Sequence, residues 1–555
     1  MPPPSREAAL YGLLVVATLA TRLAGLGHFA LTDRELAGAV AVSSWLDGEA
    51  LTGLSYSPLL WLLQTPLLAL TRASELAVRL PVALAAAGLV VVLYAQRPVL
   101  GRVRALVLAA LALVSPSLLH YSRQADGAFL SAAAALVATL CAHRAWQTRT
   151  TRDACWLAVA VAVGLTTGPG FYTWLLAAAL AVAWRLGDRQ ACAERPCPEA
   201  SAVWRKPLVW GALAFVGVAT LLLTHLAGLG ATFELAGAWF VGLGAPGEPW
   251  YWLPYCLLLY EPLLLLCGAV GAVSALRQRD AVGRFALGWL GVALVIGLVG
   301  HRSGFWLADT VAPLLLLAAG GVEPLWRALR AGRGTNAMIA AVCLALLFAF
   351  GLINGLMFTF SGQAPFGWLA AGATLVVVAL WLGYWLAEGR QAALSAGLAL
   401  LLAMLGAATV RTAVAVGYET ARDPREPLVY DPVVISPQQM RTLLTSSSLY
   451  AAGDERTLDI VWATGVDLEA RWYLREMHDA TAMTPDNWAT AQALLVAPGA
   501  GEVPPTGYVG QRLAWRKTWS GQDLPLSERL GWLLLRRPVG WEETSELALW
   551  FRLEQ

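Results

Sequence analysis

The chain has 555 residues, 58% of them hydrophobic and 14% charged, with a net charge of +2 and a mean hydropathy of +0.59. That balance excludes a soluble globular protein of this size, and so small a net charge gives no footing for nucleic acid. Repeated apolar runs of about twenty residues instead define an α-helical polytopic membrane protein.

The first run, 9–27, has no clear cleavage site after it and reads as a retained helix rather than a signal peptide. The sequence HFALTDRELAGAVAVSSWLDGE follows, with Asp33, Arg34 and Glu35 as a charged cluster. Further apolar runs fall near 58–71, 80–96, 105–120, 126–143, 154–167, 171–186, 208–229, 252–276, 284–300, 305–322, 336–360, 366–387 and 391–416. The 58–71 run is short and holds Pro58 and Pro66, so it reads as an interfacial or re-entrant helix. That leaves about thirteen spans. With this count one side collects roughly nineteen Lys and Arg residues, from Arg6 to Arg390. The other side keeps about five: Arg34, Arg72, Arg79, Arg123 and Arg302. The positive-inside bias makes the rich side, and the N-terminus, cytoplasmic. The first loop, 28–79, the turn near 121–126, the loop 230–251 and residues 417–555 are then extracytoplasmic. Among the cysteines only Cys192 and Cys197 lie close together. Lacking a second pair or a nearby His, they read as free thiols before a metal site.

Hydropathy drops after Val416, and YETARDPREP is a charged linker. LVYDPVVIS, TLDIVWATG and AQALLVAPG read as strands, with PQQMRTLLTSSSLYAAG and DLEARWYLREM as helices between them. This alternation predicts a small extracytoplasmic α/β domain with a parallel sheet. The chain therefore divides into a transmembrane domain, 1–416, and a C-terminal domain, 417–555. No Gly-rich phosphate loop follows a strand, so no nucleotide site is expected. Trp515 and Trp519, beside Arg516 and Lys517, suit either contact with sugar or lipid headgroups or a partly exposed aromatic strand or loop near the membrane.

Several residues carry chemistry. Asp33 and Glu35 suit a general base or a metal-binding carboxylate pair, or else a solvated loop charge and an ion pair with Arg34. In SPSLLHYSRQADGAFL, Arg123 either snorkels or binds a lipid phosphate. Asp126 either caps the next helix or joins the site. GHRSGFWLADTVAP places Asp309 inside a span, a functional candidate by default or a partner of Arg302. His301 is a candidate metal ligand or proton carrier, and Arg302 a candidate phosphate ligand. In SYSPLLWLLQTP, Tyr56 and Gln64 are polar groups at membrane depth and candidates for a substrate cavity. The aromatic residues of 230–251, Trp239, Phe240, Trp250 and Tyr251, fit an interfacial belt or a sugar or polyprenyl cradle.

The stretches TRLAGLGHFALTDRELAGA, SYSPLLWLLQTPLLAL and SELAVRLPVALAAAGLVVVLY together resemble the start of GT-C glycosyltransferases, such as protein O-mannosyltransferases and lipid A aminoarabinose transferases. SPSLLHYSRQAD, EPLVYDP, RWYLRE and YVGQRLAWRKTW are similar to a prokaryotic subgroup labelled "flippase activity-associated protein". The resemblance implies a GT-C-like fold, a polyprenyl-phosphate-linked sugar donor, and a glycan, lipid or protein acceptor met at an extracytoplasmic site in the cell membrane. It implies Asp33 as catalytic base and Asp126 as a second acidic contact. It also implies Arg123 and Arg302 as ligands of the donor phosphate. The family's adjacent Asp-Glu pair is Asp33-Arg34 here, with Glu35 one position later. A divalent metal ion on Asp33 and Asp126 is a possible cofactor. The alternative reading is a non-catalytic transporter or accessory protein for lipid-linked sugar translocation.

Overall fold

The structure is a computed structural model that describes residues 6–49, 56–71, 73–187, 200–244, 250–299, 304–331, 335–429, 433–434, 437–463, 465–484, 487, 490–496, 507–519, 532 and 542–553. It opens with four helices, α1 (Arg6–Leu23), α2 (Asp33–Leu46), α3 (Pro58–Leu70) and α4 (Glu75–Ala95). Helix then follows helix as far as Val414. Among the described residues, seven helices are long and apolar enough to cross a bilayer: Glu75–Ala95, Ala128–Thr148, Ala281–Val299, Trp306–Arg330, Ile339–Thr359, Ala364–Glu388 and Arg390–Glu419. The chain is thus a multi-pass membrane protein. Some of the other predicted spans fall on shorter or broken helices, such as Thr151–Gly164 with 14 residues. The 105–120 run divides into Arg102–Val114 and Pro116–Tyr121 at Ser115. The segment at 58–71 forms a helix of 13 residues, about 20 Å long and too short for a hydrocarbon core of roughly 30 Å.

An eighth span is broken. Trp252–Tyr260 and Pro262–Gln278 meet at an angle of 100°. Pro262 supplies no N–H and drives the preceding residue out of the α region, so Glu261 sits at φ −122°, ψ 39°. The Trp306–Arg330 stretch is the post of the bundle, 83% buried, whereas Ala364–Glu388 is only 6% buried and apolar all round. A helix of that kind has lipid for its solvent. Small residues let the post approach its neighbour closely: a Cβ on Gly271 would fall 1.8 Å from the Leu317 carbonyl oxygen.

The C-terminal part is a six-stranded sheet with helices Pro437–Ala452 and Asp467–Tyr473. Its strands are β1 (Val433–Val434), β2 (Ile460–Trp462), β3 (Ala480–Ala482), β4 (Ala493–Val496), β5 (Tyr508–Trp519) and β6 (Glu542–Arg552). The order is β1-β5-β6-β4-β2-β3. Only β2–β3 and β2–β4 are parallel; the other pairings are antiparallel. The expectation of a parallel sheet is corrected to a mixed one. The reason is the long β5–β6 ribbon, which adds antiparallel strands beyond the βαβ core. Trp515 and Trp519 lie on β5, and Trp515 is buried, edge-on to Tyr473 at 6.2 Å.

Candidate functional site

The first turn of α2 organises one end of the bundle. Thr32 and Glu35 form a capping box: the Thr32 hydroxyl accepts from the Glu35 N–H (3.4 Å), and the Thr32 N–H donates to Glu35 Oε2 (2.9 Å). Glu35 is fully buried. Arg79 grips it with two hydrogen bonds of 2.7 Å, from Nε and Nη2. Nη2 of Arg422 reaches Oε2 at 3.3 Å, and the Ala125 N–H reaches Oε1 at 2.9 Å. Burial alone would push the Glu35 carboxyl up. The guanidinium groups of Arg79 and Arg422, with the Thr32 amide, outweigh it and hold the group well below the usual carboxylate range. With its lone pairs taken, Glu35 ties together α2, α4, the 122–127 turn and the linker after residue 419.

Four arginines gather here. Arg22, Arg79 and Arg123 are buried and Arg422 is 14% exposed. Backbone carbonyls take up several of their donors. Arg79 donates to Leu26, Phe29 and Ala30 at 2.7–3.1 Å. Nη1 of Arg123 donates to Thr21, Arg22 and Ala24 at 2.7–3.1 Å, closing the C-terminal end of α1. Its guanidinium also stacks 4.6 Å over Tyr418. Arg22 donates to Ala112 and Leu113. Against these four cations stands one directly paired carboxylate among the described residues, Glu35. Burial and the like charge of Arg79 pull Arg422 down to about 10.

A small cavity of about 20 Å³ adjoins this cluster. It is lined by Arg79, Arg123, Arg422, His120 and Gln124, with Leu26 and Phe29 as apolar wall. The Gln124 amide donates to Nε2 of His120 at 2.9 Å. The cleft thus presents guanidinium and amide donors beside apolar surface, an arrangement suited to an anionic head on an apolar tail.

Asp33 turns elsewhere. Two residues apart on a helical turn, Asp33 and Glu35 point to different sides. Asp33 Oδ1 lies 3.1 Å from Nη2 of Arg516 on β5, which also pairs with Glu469. The sheet domain grips the whole segment: Arg471 pairs with Glu49 (2.9 Å), the Leu31 N–H donates to the Tyr473 hydroxyl (3.2 Å), and Trp472 Nε1 donates to Glu75 (3.4 Å).

Asp126 occupies the neighbouring turn. Its Oδ1 accepts from the Ala128 N–H at 3.0 Å, at the start of the Ala128–Thr148 helix. Gly127 follows at φ +84°, where a Cβ would sit 2.6 Å from the Thr167 carbonyl oxygen. Arg34 and Asp126 both lie within electrostatic reach of Tyr121.

Gln64 donates to the Val78 carbonyl at 2.8 Å and fastens α3 to α4. Tyr56 lies in a separate aromatic cluster. Asp309 is buried in the Gly304–Ala331 helix with Thr173 as partner, away from the arginines. His301 and Arg302 lie outside the described residues. The structure therefore gathers Glu35 and Arg123 around Arg79 and Arg422, sets Asp126 beside them, and leaves Asp33 against Arg516. Among the described residues, no three His, Cys, Asp or Glu side chains group as a metal site. Asp33 faces Arg516, and Asp126 accepts at a helix start.

Sequence reasoning missed Arg22, Arg79 and Arg422. For Arg79 a signal was present: charge counting puts it among the few arginines of the basic-poor side, where an arginine needs a partner or a ligand.

The fold is similar to that of solved membrane proteins. Residues 55–204 match the family described as dolichyl-phosphate-mannose-protein mannosyltransferase. Two solved structures are similar over nearly the whole chain. The crystal structure of ArnT from Cupriavidus metallidurans bound to undecaprenyl phosphate shares 14% identity, covers 97% of each chain and gives a TM-score of 0.53. The same protein in the apo state shares 14% identity over 98% of each chain, with a TM-score of 0.52. No curated protein matches the chain.

Proposed function

We propose that this chain is a glycosyltransferase that moves a sugar from a polyprenyl-phosphate-linked donor to an acceptor at the outer face of the cell membrane. The observation that carries the reading is the arginine cleft, where the guanidinium groups of Arg79, Arg123 and Arg422 stand beside an apolar wall with Glu35 as their one directly paired carboxylate among the described residues. Buried surplus positive charge is stabilised by an anionic ligand. The ArnT structure with undecaprenyl phosphate, and the dolichyl-phosphate family match, favour a polyprenyl phosphate as that ligand.

In this account Arg123 and Arg422 hold the donor phosphate, while Arg79 and Glu35 fix the cleft. Asp33 accepts the proton of an acceptor hydroxyl once it leaves Arg516. The acceptor oxygen bonds to the anomeric carbon, and the bond from that carbon to the phosphate oxygen breaks. Polyprenyl phosphate departs with the electron pair, and fixed positive charge stabilises it. The N-terminus is cytoplasmic and residues 417–555 form an outer domain. The test is transfer from a hexosyl polyprenyl phosphate by membranes carrying Asp33→Asn. Loss of transfer with normal protein level is expected; transfer at the wild-type rate would remove Asp33 from the mechanism. The Asp33–Arg516 pair favours one second reading, a non-catalytic accessory protein for lipid-linked sugar translocation. No transfer by wild-type membranes, with lipid translocation intact, would select that reading.

A further inference from the structure

A second constellation lies across the 121–127 turn from the arginines. The Tyr56 hydroxyl is 3.0 Å from Nε2 of His225. The His225 ring stacks on Trp61, with centroids 4.6 Å apart and planes 29° from parallel. Tyr56 meets Trp61 edge-on at 4.0 Å, and Trp45 closes the group at 5.9 Å from His225. Tyr56, Trp45 and His225 remain partly exposed. Trp61 is 5% exposed, and its indole N–H has no hydrogen-bond partner among the described residues. A buried indole N–H ordinarily finds a partner, although Trp289 and Trp515 share this feature.

The turn that presents His225 is strained. Leu221, Leu222 and Leu223 stand in succession at φ +52°, +56° and +74°. Branched residues rarely adopt these angles, and such strain persists only where the surroundings enforce it. The group also adjoins the candidate site. Ser57, next to Tyr56, bonds the Thr166 carbonyl at 3.0 Å. The Cβ position of Gly127 points at Ser57 and Thr167, one residue from Asp126. Arg123 and Gln124 of the same turn line the arginine cleft. Glu234 is the one charged side chain that acts on Tyr56, and burial alone acts on His225.

We propose that Tyr56, Trp61 and His225, with Trp45, form a carbohydrate subsite that stacks the ring of a neutral pyranose. Aromatic faces complement the C–H face of such a ring. The Trp61 N–H, the Tyr56–His225 pair and the Glu234 carboxylate supply donors and acceptors for its hydroxyl groups. Glu234 disfavours an anionic sugar. This inference rests on the reading of the chain as a handler of lipid-linked sugar, and adds the place where the sugar sits.

The test uses full-length protein in nanodiscs with three probes: polyprenyl phosphate, a hexosyl polyprenyl phosphate and a methyl hexopyranoside. Tryptophan fluorescence reports binding, and variants Tyr56→Phe and His225→Asn change partly exposed groups with little change of volume. Wild type is expected to bind the hexosyl lipid about tenfold more tightly than the bare lipid, for one or two hydrogen bonds and a stacking contact. Each variant should bring the two lipids to within about threefold of each other while bare-lipid affinity holds. Competition between the methyl hexopyranoside and the hexosyl lipid supports a subsite for the donor sugar; simultaneous binding of the two would contradict it. A preference for the hexosyl lipid that both variants retain would overturn the subsite and leave the arginine cleft standing. Absence of wild-type binding to either lipid would overturn both.

Discussion

Glu35→Gln isolates the anchor of the arginine cluster. The substitution keeps the shape but removes the one carboxylate paired with Arg79 and Arg422, and turns an N–H donor toward a guanidinium group. Both Glu35 and Arg79 are essentially buried, at 0% and 2% exposure. Breaking a buried pair by removing one partner costs about 3–5 kcal/mol. Asp33→Asn is the control, because Asp33 and Arg516 are 35% and 29% exposed. Such a pair contributes roughly 0–1 kcal/mol. Unfolding of a protein this large is followed as an apparent midpoint under fixed scan conditions rather than as an equilibrium free energy. In detergent, Glu35→Gln should lower that midpoint by on the order of 5–10 °C, with Asp33→Asn within about 2 °C of wild type. Added polyprenyl phosphate should recover part of the loss, since an anion replaces the missing charge. A Glu35→Gln protein that melts with wild type would refute the anchoring role. So would equal losses in the two variants.

Acid should act through the same group. The folded Glu35 carboxyl is held below its unfolded value by Arg79 and Arg422. A depressed acid adds stability above its unfolded pKa of about 4.3, and loses it as pH falls from there toward the folded value. The wild-type midpoint should therefore drop below about pH 4.5, and Glu35→Gln should flatten that part of the profile. Arg516→Ala removes the partner that holds Asp33 and leaves Glu469 without this ion pair. Because Glu469 is only 4% exposed, the melting midpoint should fall by on the order of 5 °C alongside the change in transfer activity, as steady-state transfer and a thermal scan on one preparation will show.

The helical membrane architecture was legible because a bilayer imposes length and composition on every span. The short helix at 58–71 was legible from its two prolines and limited length. The βαβ core of the sheet domain followed from alternating apolar strands and helices. The β5–β6 ribbon was missed although Leu513 and Trp515 alternate with exposed neighbours on β5. The site was less legible, for a physical reason. Glu35 meets Arg79 across 44 positions and Arg422 across 387. No local pattern encodes contacts at such separations. Thr32 and Glu35 carried a local sign in T-x-x-E spacing, which marks a capping box and points Glu35 back toward the helix start. Asp33 was chosen for its position in the first loop, but the partner that faces it is Arg516, far along the chain on β5.

The central claim is that the arginine cleft receives the phosphate of a polyprenyl-linked donor. Its most direct test is the affinity of full-length wild-type protein and of Arg422→Gln for polyprenyl phosphate in nanodiscs. Arg422→Gln retains the Glu35–Arg79 pair, so the fold should persist. The account predicts affinity lower by about tenfold or more, as expected when a charge-assisted hydrogen bond worth roughly 1.5–3 kcal/mol is lost. Equal affinity in the two proteins would contradict it.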